Sequence, residues 1–432
     1  MSTVPGAAGP EVATVTVNGR DYRLPRRPTV VFALDGCQPA YLDDGMARGP
    51  MPRLRDMLGS GGAYHLGRAQ MPTLTNPNNV SIVTGVAPAV HGIPGNHYRA
   101  PDGEEVQLVD PSFLRAPTIH AVMQQAGATV LAVTAKDKLR RLLAVGDVPT
   151  ISTERAGELG MPRFGIEDVP ALVGKPAPPI YDWSASHYAL EIGLAVHRRL
   201  RREGRGLDLL YVSSTDYVQH KEPPGGAMAD RFYRRFDELL GEYLDAGFVV
   251  GITADHGMNA KQEPDGSPRV HYLEDVLDGA GVHEHHVVLP ITDPYVLHHG
   301  ALGSFAWVHL PERDVERARA ALSALPGVEE VYTRAEAAVI YAHPADRIGD
   351  LSVASDARTA LGKSRAKHDL SLVESGLRSH GGRHEQIVPI VVSHPLSERY
   401  AARHAAGVGN RDLHDLLLNG VVHGQAATRT VA

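Results

Sequence analysis

Five short apolar runs constrain the fold of this chain more than any other feature. They are rich in β-branched and aliphatic residues without polar alternation, and they occupy residues 29–34 (TVVFAL), 129–133 (TVLAV), 207–212 (LDLLYV), 248–253 (FVVGIT) and 387–392 (IVPIVV). Runs of this kind are typical of strands in a sheet that is covered on both faces. Helical patterns lie between them, at residues 117–125, 185–202 and 229–244. This alternation predicts an α/β fold with a mostly parallel sheet flanked by helices.

The segment from residue 265 to residue 374 has a different pattern. Residues 305–310 predict a strand, residues 315–324 a helix and residues 328–332 a second strand, with a Leu-Pro-Gly breaker between the last two. A chain of 432 residues also exceeds what one hydrophobic core usually supports. We therefore expect three parts: an N-terminal arm or peripheral hairpin at 1–25, a catalytic core formed by 26–264 and 375–432, and a smaller inserted α+β cap at 265–374.

Composition argues against several classes of function. The formal net charge of -7 is unlike that of a general nucleic-acid-binding protein. Cys37 is the only cysteine, so neither an intrachain disulfide nor a cysteine-rich zinc site can form. Residues 1–27 lack a secretory-signal pattern, and no run approaches the roughly 20 apolar residues of a membrane helix. We expect a cytoplasmic protein without nucleic-acid or membrane partners, and we leave open whether it forms a homodimer.

Ionisable side chains follow three of the apolar runs, where the predicted strands end. Asp35 follows the first of the runs. Asp216 follows the third, with His220 four residues later, and the pair Asp255 and His256 follows the fourth. Because ligands of open parallel sheets gather outside the carboxyl ends of the strands, these side chains are expected to converge. One aspartate in such a place often only caps the next helix, but three such strand ends favour a metal site.

The spacing and chemistry of these residues indicate two metal ions. Asp216 and His220 stand at i and i+4, which places both on one face of a helical turn. Carboxylates and imidazoles without thiolates suit Zn²⁺, with Mn²⁺ as second choice. Five ligands are too many for one tetrahedral ion, and a sixth would complete two sites. His380 and His384 are both candidates for the sixth, and the glycines after His380 favour it because they let the backbone pass close to a metal.

A threonine lies where a nucleophile is needed. Residues 71–85 (MPTLTNPNNVSIVTG) predict a helix in which Pro77 falls in the first turn. Thr75 then lies at the helix N-terminus, whose free amides and dipole favour an anion. A hydroxyl bound to a divalent cation can lose its proton near neutral pH and attack an electrophile. From the residues alone, Thr75 is explained equally well as the N-cap of this helix.

Together these motifs resemble the alkaline phosphatase superfamily, and within it the branch of nucleotide pyrophosphatase/phosphodiesterases and phosphonoacetate hydrolases. Residues 75–85 are similar to the nucleophile motif T-x-P-N-x-x-S-I-V-T-G of that branch. The metal-ligand motifs match in order, as D-x-x-x-H at 216–220, T-A-D-H-G-M at 253–258 and H-G at 380–381. The resemblance spans residues 28–395 and implies an alkaline-phosphatase-like core.

The resemblance also implies a role for each motif residue. Two metals would be held by two sets of three ligands: Asp216, His220 and His380 for one, and Asp35, Asp255 and His256 for the other. The hydroxyl of Thr75 would bridge toward the second metal and act as the nucleophile. Asn96, in the sequence Gly-Asn-His, resembles the asparagine that donates a hydrogen bond to a phosphoryl oxygen.

Two lysines follow the second apolar run, in the sequence TAKDKLR at residues 134–140. Without a family comparison, Lys136 and Lys138 are explained equally well as a solvated basic turn. The segment looks like the lysine pair with which phosphonoacetate hydrolases hold the substrate carboxylate, and residues 291–300 are similar to the cap of those enzymes. The resemblance thus implies a zinc-dependent enzyme that hydrolyses the C–P bond of a small-molecule phosphonate through a phosphothreonine.

Two other functions stay open from the sequence. A phosphodiesterase or phosphomonoesterase would use the same metals and the same Thr75, but it has an oxygen leaving group and no need for a carboxylate clamp. A non-enzymatic metal-binding module is the more distant alternative, since it has no use for a threonine at a helix N-terminus beside two metals.

Overall fold

The computed structural model describes residues 13–179, 181–291, 302–371, 373 and 376–423. Its strands are, in chain order, β1 (Thr14–Val17), β2 (Arg20–Arg23), β3 (Thr29–Ala33), β4 (Ala63–Arg68), β5 (His97–Arg99), β6 (Glu105–Gln107), β7 (Val130–Thr134), β8 (Thr150–Ser152), β9 (Leu209–Ser213), β10 (Val249–Thr253), β11 (Asn259–Ala260), β12 (Val270–Tyr272), β13 (His286–Val288), β14 (Phe305–His309), β15 (Val328–Thr333), β16 (Leu351–Ser355), β17 (Ala360–Gly362), β18 (Arg378–Ser379) and β19 (Ile387–Val392).

The α-helices of the described residues are α1 (Pro39–Arg48), α2 (Pro52–Gly59), α3 (Thr75–Thr84), α4 (Pro88–His91), α5 (Ile119–Gln125), α6 (Asp137–Leu143), α7 (Val169–Val173), α8 (Ala185–Arg202), α9 (Tyr217–Lys221), α10 (Ala227–Asp245), α11 (Leu273–Gly279), α12 (Val315–Ser323), α13 (Arg334–Ile340), α14 (Glu398–Ala405) and α15 (Leu413–Asp415). A π-helical turn, Leu416–Gly420, follows the last of them. Among the helices of these residues, none combines the length and the apolar composition needed to cross a bilayer.

The main sheet confirms the predicted α/β class. In the described part of the chain it has seven strands in the order β4-β19-β10-β3-β9-β7-β8. Strands β10, β3, β9, β7 and β8 pair in parallel, and all five predicted apolar runs are in the sheet. Strands β3, β7, β9 and β10 are buried along their whole length, because helices such as α5, α8, α10 and α15 pack against them.

Two features of this sheet were not predicted. The last apolar run, β19, lies antiparallel to both β10 and β4. Apolar composition indicates burial but carries no information on strand direction, so this orientation is visible only in the structure. Strands β4 and β8 at the two edges also lack a continuous apolar run, because an edge strand is covered less completely.

A second, antiparallel sheet is formed by β13, β14, β16 and β15. The predicted succession of strand, helix and strand in this region is confirmed by β14, α12 and β15. These elements have a hydrophobic cluster of their own, in which Val308, Leu322 and Val353 are buried. The region is therefore built as a separate α+β layer.

Residues near the N-terminus form the hairpin β1–β2. Val17 and Tyr22 of this hairpin are buried, and the Asn18 side chain donates a hydrogen bond to the backbone carbonyl of Thr84 at 2.8 Å. Thr84 is the last residue of α3, so the hairpin packs against the C-terminal end of the helix that begins at Thr75. Residues 1–12 of the predicted arm lie outside the described part of the chain.

Candidate active site

Three buried aspartates lie just beyond the carboxyl ends of adjacent central strands. Strand β3 pairs in parallel with β10 on one side and β9 on the other, so the three strands end at the same edge of the sheet. Asp35, Asp216 and Asp255 follow these strands within three residues, and each is 0% exposed. The predicted convergence of strand ends thus places three carboxylates together in the interior.

The three predicted histidines lie among these carboxylates. His220 Nε2 is 3.0 Å from Asp216 Oδ2, and His256 Nε2 is 3.1 Å from Asp35 Oδ1. His380 Nε2 is 3.8 Å from Asp216 Oδ2, and its ring stacks on that of His256 with 3.5 Å between the centroids. The structure therefore brings the predicted ligands together, with Asp216 between the two sets.

Two groups of side chains have the spacing of a metal site: Asp216 with His220 and His380, and Asp35 with Asp216 and His256. The first is the set that the motifs predicted. In the second, Asp216 stands where Asp255 was expected, although Asp255 Oδ2 is only 3.7 Å from His256 Nε2. His384, the other candidate for the sixth ligand, points away and pairs with Glu329 at 2.8 Å.

The protonation of the histidines fits divalent cations. The Nδ1 atoms of His220, His256 and His380 lie 2.7–2.9 Å from the backbone carbonyls of Arg378, Gly257 and Thr73. A carbonyl only accepts hydrogen bonds, so each Nδ1 carries a proton, and Nε2 is the ring atom that faces the carboxylates and is left to bind a cation. Imidazole nitrogens that face buried carboxylate oxygens form a ligand set of the kind that binds a divalent cation.

The pKa shifts of the buried groups also indicate a site for cations. Burial, reinforced by the nearby Asp35, raises the pKa of Asp255 well above its ordinary value. Burial opposes protonation of His256, yet the carboxylates of Asp255 and Asp35 outweigh it and raise its pKa to about 9. The negative potential in this part of the protein is therefore strong, and bound divalent cations would neutralise it.

Thr75 is the first residue of α3, and the preceding Leu74 occupies the N-cap position. The alternative explanation of Thr75 as the N-cap is therefore wrong. Its side chain lines a cavity of about 130 Å³ together with Asn96, Lys136 and Lys138. The predicted nucleophile and the three predicted substrate-binding residues thus line one pocket.

The two lysines occupy different places in this pocket. The ammonium of Lys136 is 3.0 Å from Asp216 Oδ1 and 3.5 Å from Asp35 Oδ2, so it lies against the candidate metal ligands. Although burial opposes ionisation of Asp216, Lys136 and His220 lower its pKa well below the ordinary value. Lys138 is exposed at the edge of the cavity.

Asn96 is oriented by the start of α3. Its Oδ1 accepts a hydrogen bond from the backbone N–H of Asn76 at 2.9 Å. A backbone N–H can only donate, which fixes this atom as the oxygen and leaves the side-chain NH₂ as a donor. Because Asn96 lines the same cavity as Thr75, this NH₂ is suited to an anionic oxygen bound beside the hydroxyl.

The region from residue 29 to residue 384 matches the protein-family model described as type I phosphodiesterase / nucleotide pyrophosphatase. The chain belongs to this family. A crystal structure of phosphonoacetate hydrolase from Sinorhizobium meliloti 1021 in complex with phosphonoacetate is 42% identical, with a TM-score of 0.87, over 95% of this chain and 100% of that chain. A second structure of that enzyme, with phosphonoformate, is 43% identical over the same shares and has the same TM-score.

A more distant structure supports the fold assignment. Murine ectonucleotide pyrophosphatase / phosphodiesterase 5 is 18% identical, with a TM-score of 0.61, over 93% of this chain and 98% of that chain. This chain thus shares its fold with a protein of quite different sequence. The predicted resemblance to the alkaline phosphatase superfamily, and to phosphonoacetate hydrolases within it, is confirmed.

Some residues of the pocket were not predicted. His97 and Gln107 come from the hairpin β5–β6, and Tyr181 also lines the cavity. Burial lowers the pKa of His97 to about 4, so its imidazole is neutral near pH 7. The only signal for His97 was its place directly after Asn96 in the Gly-Asn-His sequence. The cap-like residues 292–300 lie outside the described part of the chain.

Proposed function

We propose that this protein hydrolyses the C–P bond of phosphonoacetate to give acetate and phosphate. The observation that carries the proposal is the small cavity in which Lys138 and Lys136 accompany Thr75. The similarity to a phosphonoacetate hydrolase over nearly the whole chain supports it independently. The two lysines provide the positive charge that a substrate with a carboxylate requires. An ordinary phosphate ester has no carboxylate and does not require it.

The size of the cavity favours a small substrate over a nucleotide. Pockets for drug-sized ligands occupy about 300–1,000 Å³. The cavity beside Thr75 has about 130 Å³. A two-carbon phosphonate fits such a space better than a nucleotide with its base and ribose.

The chemistry of the leaving group explains the need for a cationic clamp. Cleavage of the C–P bond leaves its electron pair on the acetate carbon, and this charge is delocalised into the carboxylate. Positive charge held near that carboxylate stabilises the transition state. Cations bound by Asp35 and Asp216 would compete with the Lys136 ammonium for these carboxylates, which would free it to join Lys138 on the substrate.

The mechanism that we propose is a double displacement at phosphorus. Two divalent cations, when bound, would neutralise the phosphonate oxygens and lower the pKa of the Thr75 hydroxyl. Thr75 attacks phosphorus in line while Asn96 donates to a phosphoryl oxygen. The acetate carbon leaves with the C–P electron pair and takes a proton from water. A second water then hydrolyses the phosphothreonine, which releases phosphate and restores the hydroxyl.

We also propose how the remaining parts of the protein contribute. Zn²⁺ is the expected metal and Mn²⁺ the second choice, since the ligands combine carboxylates with imidazoles and contain no thiolate. Residues 26–264 and 375–432 would form the catalytic core, 265–374 the cap and 1–25 the N-terminal arm. The cytoplasmic location stays a prediction, and whether the protein forms a homodimer stays open.

The test of this function is a phosphate-release assay with a panel of substrates. Phosphonoacetate, p-nitrophenyl phosphate and a p-nitrophenyl phosphodiester are compared, each with and without prior treatment by a chelator. We expect the highest kcat/KM for phosphonoacetate, with acetate and phosphate formed in equal amounts, and recovery after Zn²⁺ is restored. A higher kcat/KM for either ester would favour the phosphodiesterase or phosphomonoesterase alternative.

Replacing Lys138 with alanine is expected to raise KM for phosphonoacetate on the order of tenfold. A hydrogen bond to a charged group contributes about 1.5–3 kcal/mol when buried, and exposure at the pocket edge reduces this. Hydrolysis of p-nitrophenyl phosphate, which has no carboxylate, should change less than about twofold. Lys175→Ala is the matched control, because this exposed lysine pairs with Glu191, which keeps a second partner in Arg235. Equal losses on both substrates would contradict a carboxylate-binding role.

A further inference from the structure

A buried amide connects the nucleophile to a candidate metal ligand. Asn79 Nδ2 donates to the backbone carbonyl of Thr75 at 2.9 Å and lies 3.2 Å from Asp255 Oδ2. On its other side, Asn79 Oδ1 accepts a hydrogen bond from the hydroxyl of Tyr211 at 2.6 Å. Asn79, Tyr211 and Asp255 are each 0% exposed, so water does not compete for these contacts.

We propose that Asn79 is a positioning residue that sets the distance between the Thr75 hydroxyl and the metal held near Asp255, and that Tyr211 holds Asn79 in the required orientation. This inference rests on the proposed function, since it assumes that Thr75 is the nucleophile. Neither Asn79 nor Tyr211 touches the substrate pocket. Asn79 acts through Thr75 and Asp255, and Tyr211 acts through Asn79.

The hydrogen bonds of Asp255 show what Asn79 contributes. Asp255 Oδ1 is held by two backbone N–H groups, those of Gly36 at 3.2 Å and His256 at 3.0 Å. Oδ2 accepts a hydrogen bond from the Asn79 amide and lies 3.7 Å from Nε2 of His256, a candidate metal ligand. The backbone N–H groups therefore fix the position of the Asp255 carboxylate, and the Asn79 amide fixes its rotation.

The orientation of the Asn79 amide follows from its three neighbours. Thr75 presents a carbonyl and Asp255 a carboxylate, and both accept hydrogen bonds only. The Tyr211 hydroxyl supplies a donor to the oxygen end of the amide. Without that hydroxyl, the oxygen end of a buried amide would lack its donor and the whole side chain would be held less firmly.

Tyr211 is itself held in place by two histidines. Its ring packs against His120 at 5.6 Å and stacks near His414 at 6.4 Å between centroids. His414 Nδ1 bonds the backbone carbonyl of Ile82 at 3.1 Å, and His120 lies 3.2 Å from His414 Nε2. Burial lowers the pKa of His414 to about 4, so this support is neutral near pH 7. Helix α3 is thus joined to β9 directly by the hydrogen bond between Asn79 and Tyr211, and indirectly through His414, which contacts both Ile82 and Tyr211.

Tyr211→Phe and Asn79→Ala, alone and combined, test this inference in the full-length enzyme. Two quantities are measured: kcat and KM for phosphonoacetate, and Zn²⁺ affinity by competition with a fluorescent chelator. We expect Asn79→Ala to weaken binding of one of the two ions by about 10–100-fold. We also expect kcat to fall by more than about tenfold with KM little changed, because positioning affects the transition state.

The double variant distinguishes positioning from general loss of stability. If Tyr211 acts only through Asn79, adding Tyr211→Phe to Asn79→Ala should change kcat and metal affinity by less than about twofold. Tyr243→Phe is the control, because it removes another buried hydroxyl, which donates to the carbonyl of Leu190, in a part of the core away from α3. It should lower stability without altering metal affinity.

Several outcomes would overturn the inference. Unchanged metal affinity in Tyr211→Phe and Asn79→Ala, or fully additive effects of the two substitutions, would show that the contact has no positioning role. Because Tyr211→Phe removes a single oxygen atom, it serves as the test if Asn79→Ala does not fold. A wild-type enzyme that binds two ions but does not cleave phosphonoacetate would refute the proposed function and leave the metal-affinity test valid.

Discussion

Replacing Thr75 with alanine is expected to lower kcat for phosphonoacetate by at least about 10³-fold, because the substitution removes the attacking oxygen itself. The metals should stay bound, since the carboxylates and imidazoles that surround them are unchanged. The measurement is single-turnover phosphate release, with the Zn²⁺ content of each preparation determined in parallel. Thr75→Ser should keep a measurable part of the activity, because it retains a hydroxyl at the same position.

The controls for this prediction come from the same helix. Thr84→Ala removes another threonine hydroxyl of α3, one that donates to the carbonyl of Val80 at 2.7 Å, and it should leave kcat within about threefold. Acid-quenched wild-type enzyme should carry phosphate on Thr75 by mass spectrometry. A Thr75→Ala enzyme that turns over above a tenth of the wild-type rate with both metals bound would rule out the covalent step.

The positions of the candidate ligands could be predicted from the sequence because they follow from a simple rule. Parallel strands bring their carboxyl ends to one edge, which predicts that Asp35, Asp216 and Asp255 lie along that edge. That they also lie close together depends on the strand order, in which β3 stands between β10 and β9, and this order is visible only in the structure. His380 was harder to place, because it comes from a loop of the chain before an antiparallel strand, and only the neighbouring glycines distinguished it from His384.

Other parts of the site depend on contacts that no local pattern encodes. Lys136 was predicted to hold the substrate, whereas the structure places its ammonium against two carboxylates of the candidate metal site. Asn79 and Tyr211 are 132 positions apart and meet only because β9 passes beneath α3. Such pairs are set by the packing of helices on the sheet, which composition and periodicity do not determine.

A buried ion pair joins two segments that carry candidate metal ligands. Lys261 Nζ is 2.7 Å from Glu385 Oε1, and both side chains are 0% exposed. Lys261 also donates to the carbonyl of Ala357 at 2.9 Å, while Glu385 Oε2 accepts from the N–H of Gly382 at 3.0 Å. Glu385 thereby fixes the loop that follows His380, and Lys261 attaches that loop to the chain beyond β16.

Replacing Lys261 with methionine is expected to lower the free energy of unfolding by about 3–5 kcal/mol, because Glu385 would be left buried with its charge unpaired. The measurement is urea-induced unfolding of the metal-free protein, followed by circular dichroism. The double variant Lys261→Met, Glu385→Gln should recover at least about half of the loss, since it removes the second charge as well. A loss below about 1 kcal/mol in the single variant would mean that water reaches Glu385 and that the pair does not hold the His380 loop.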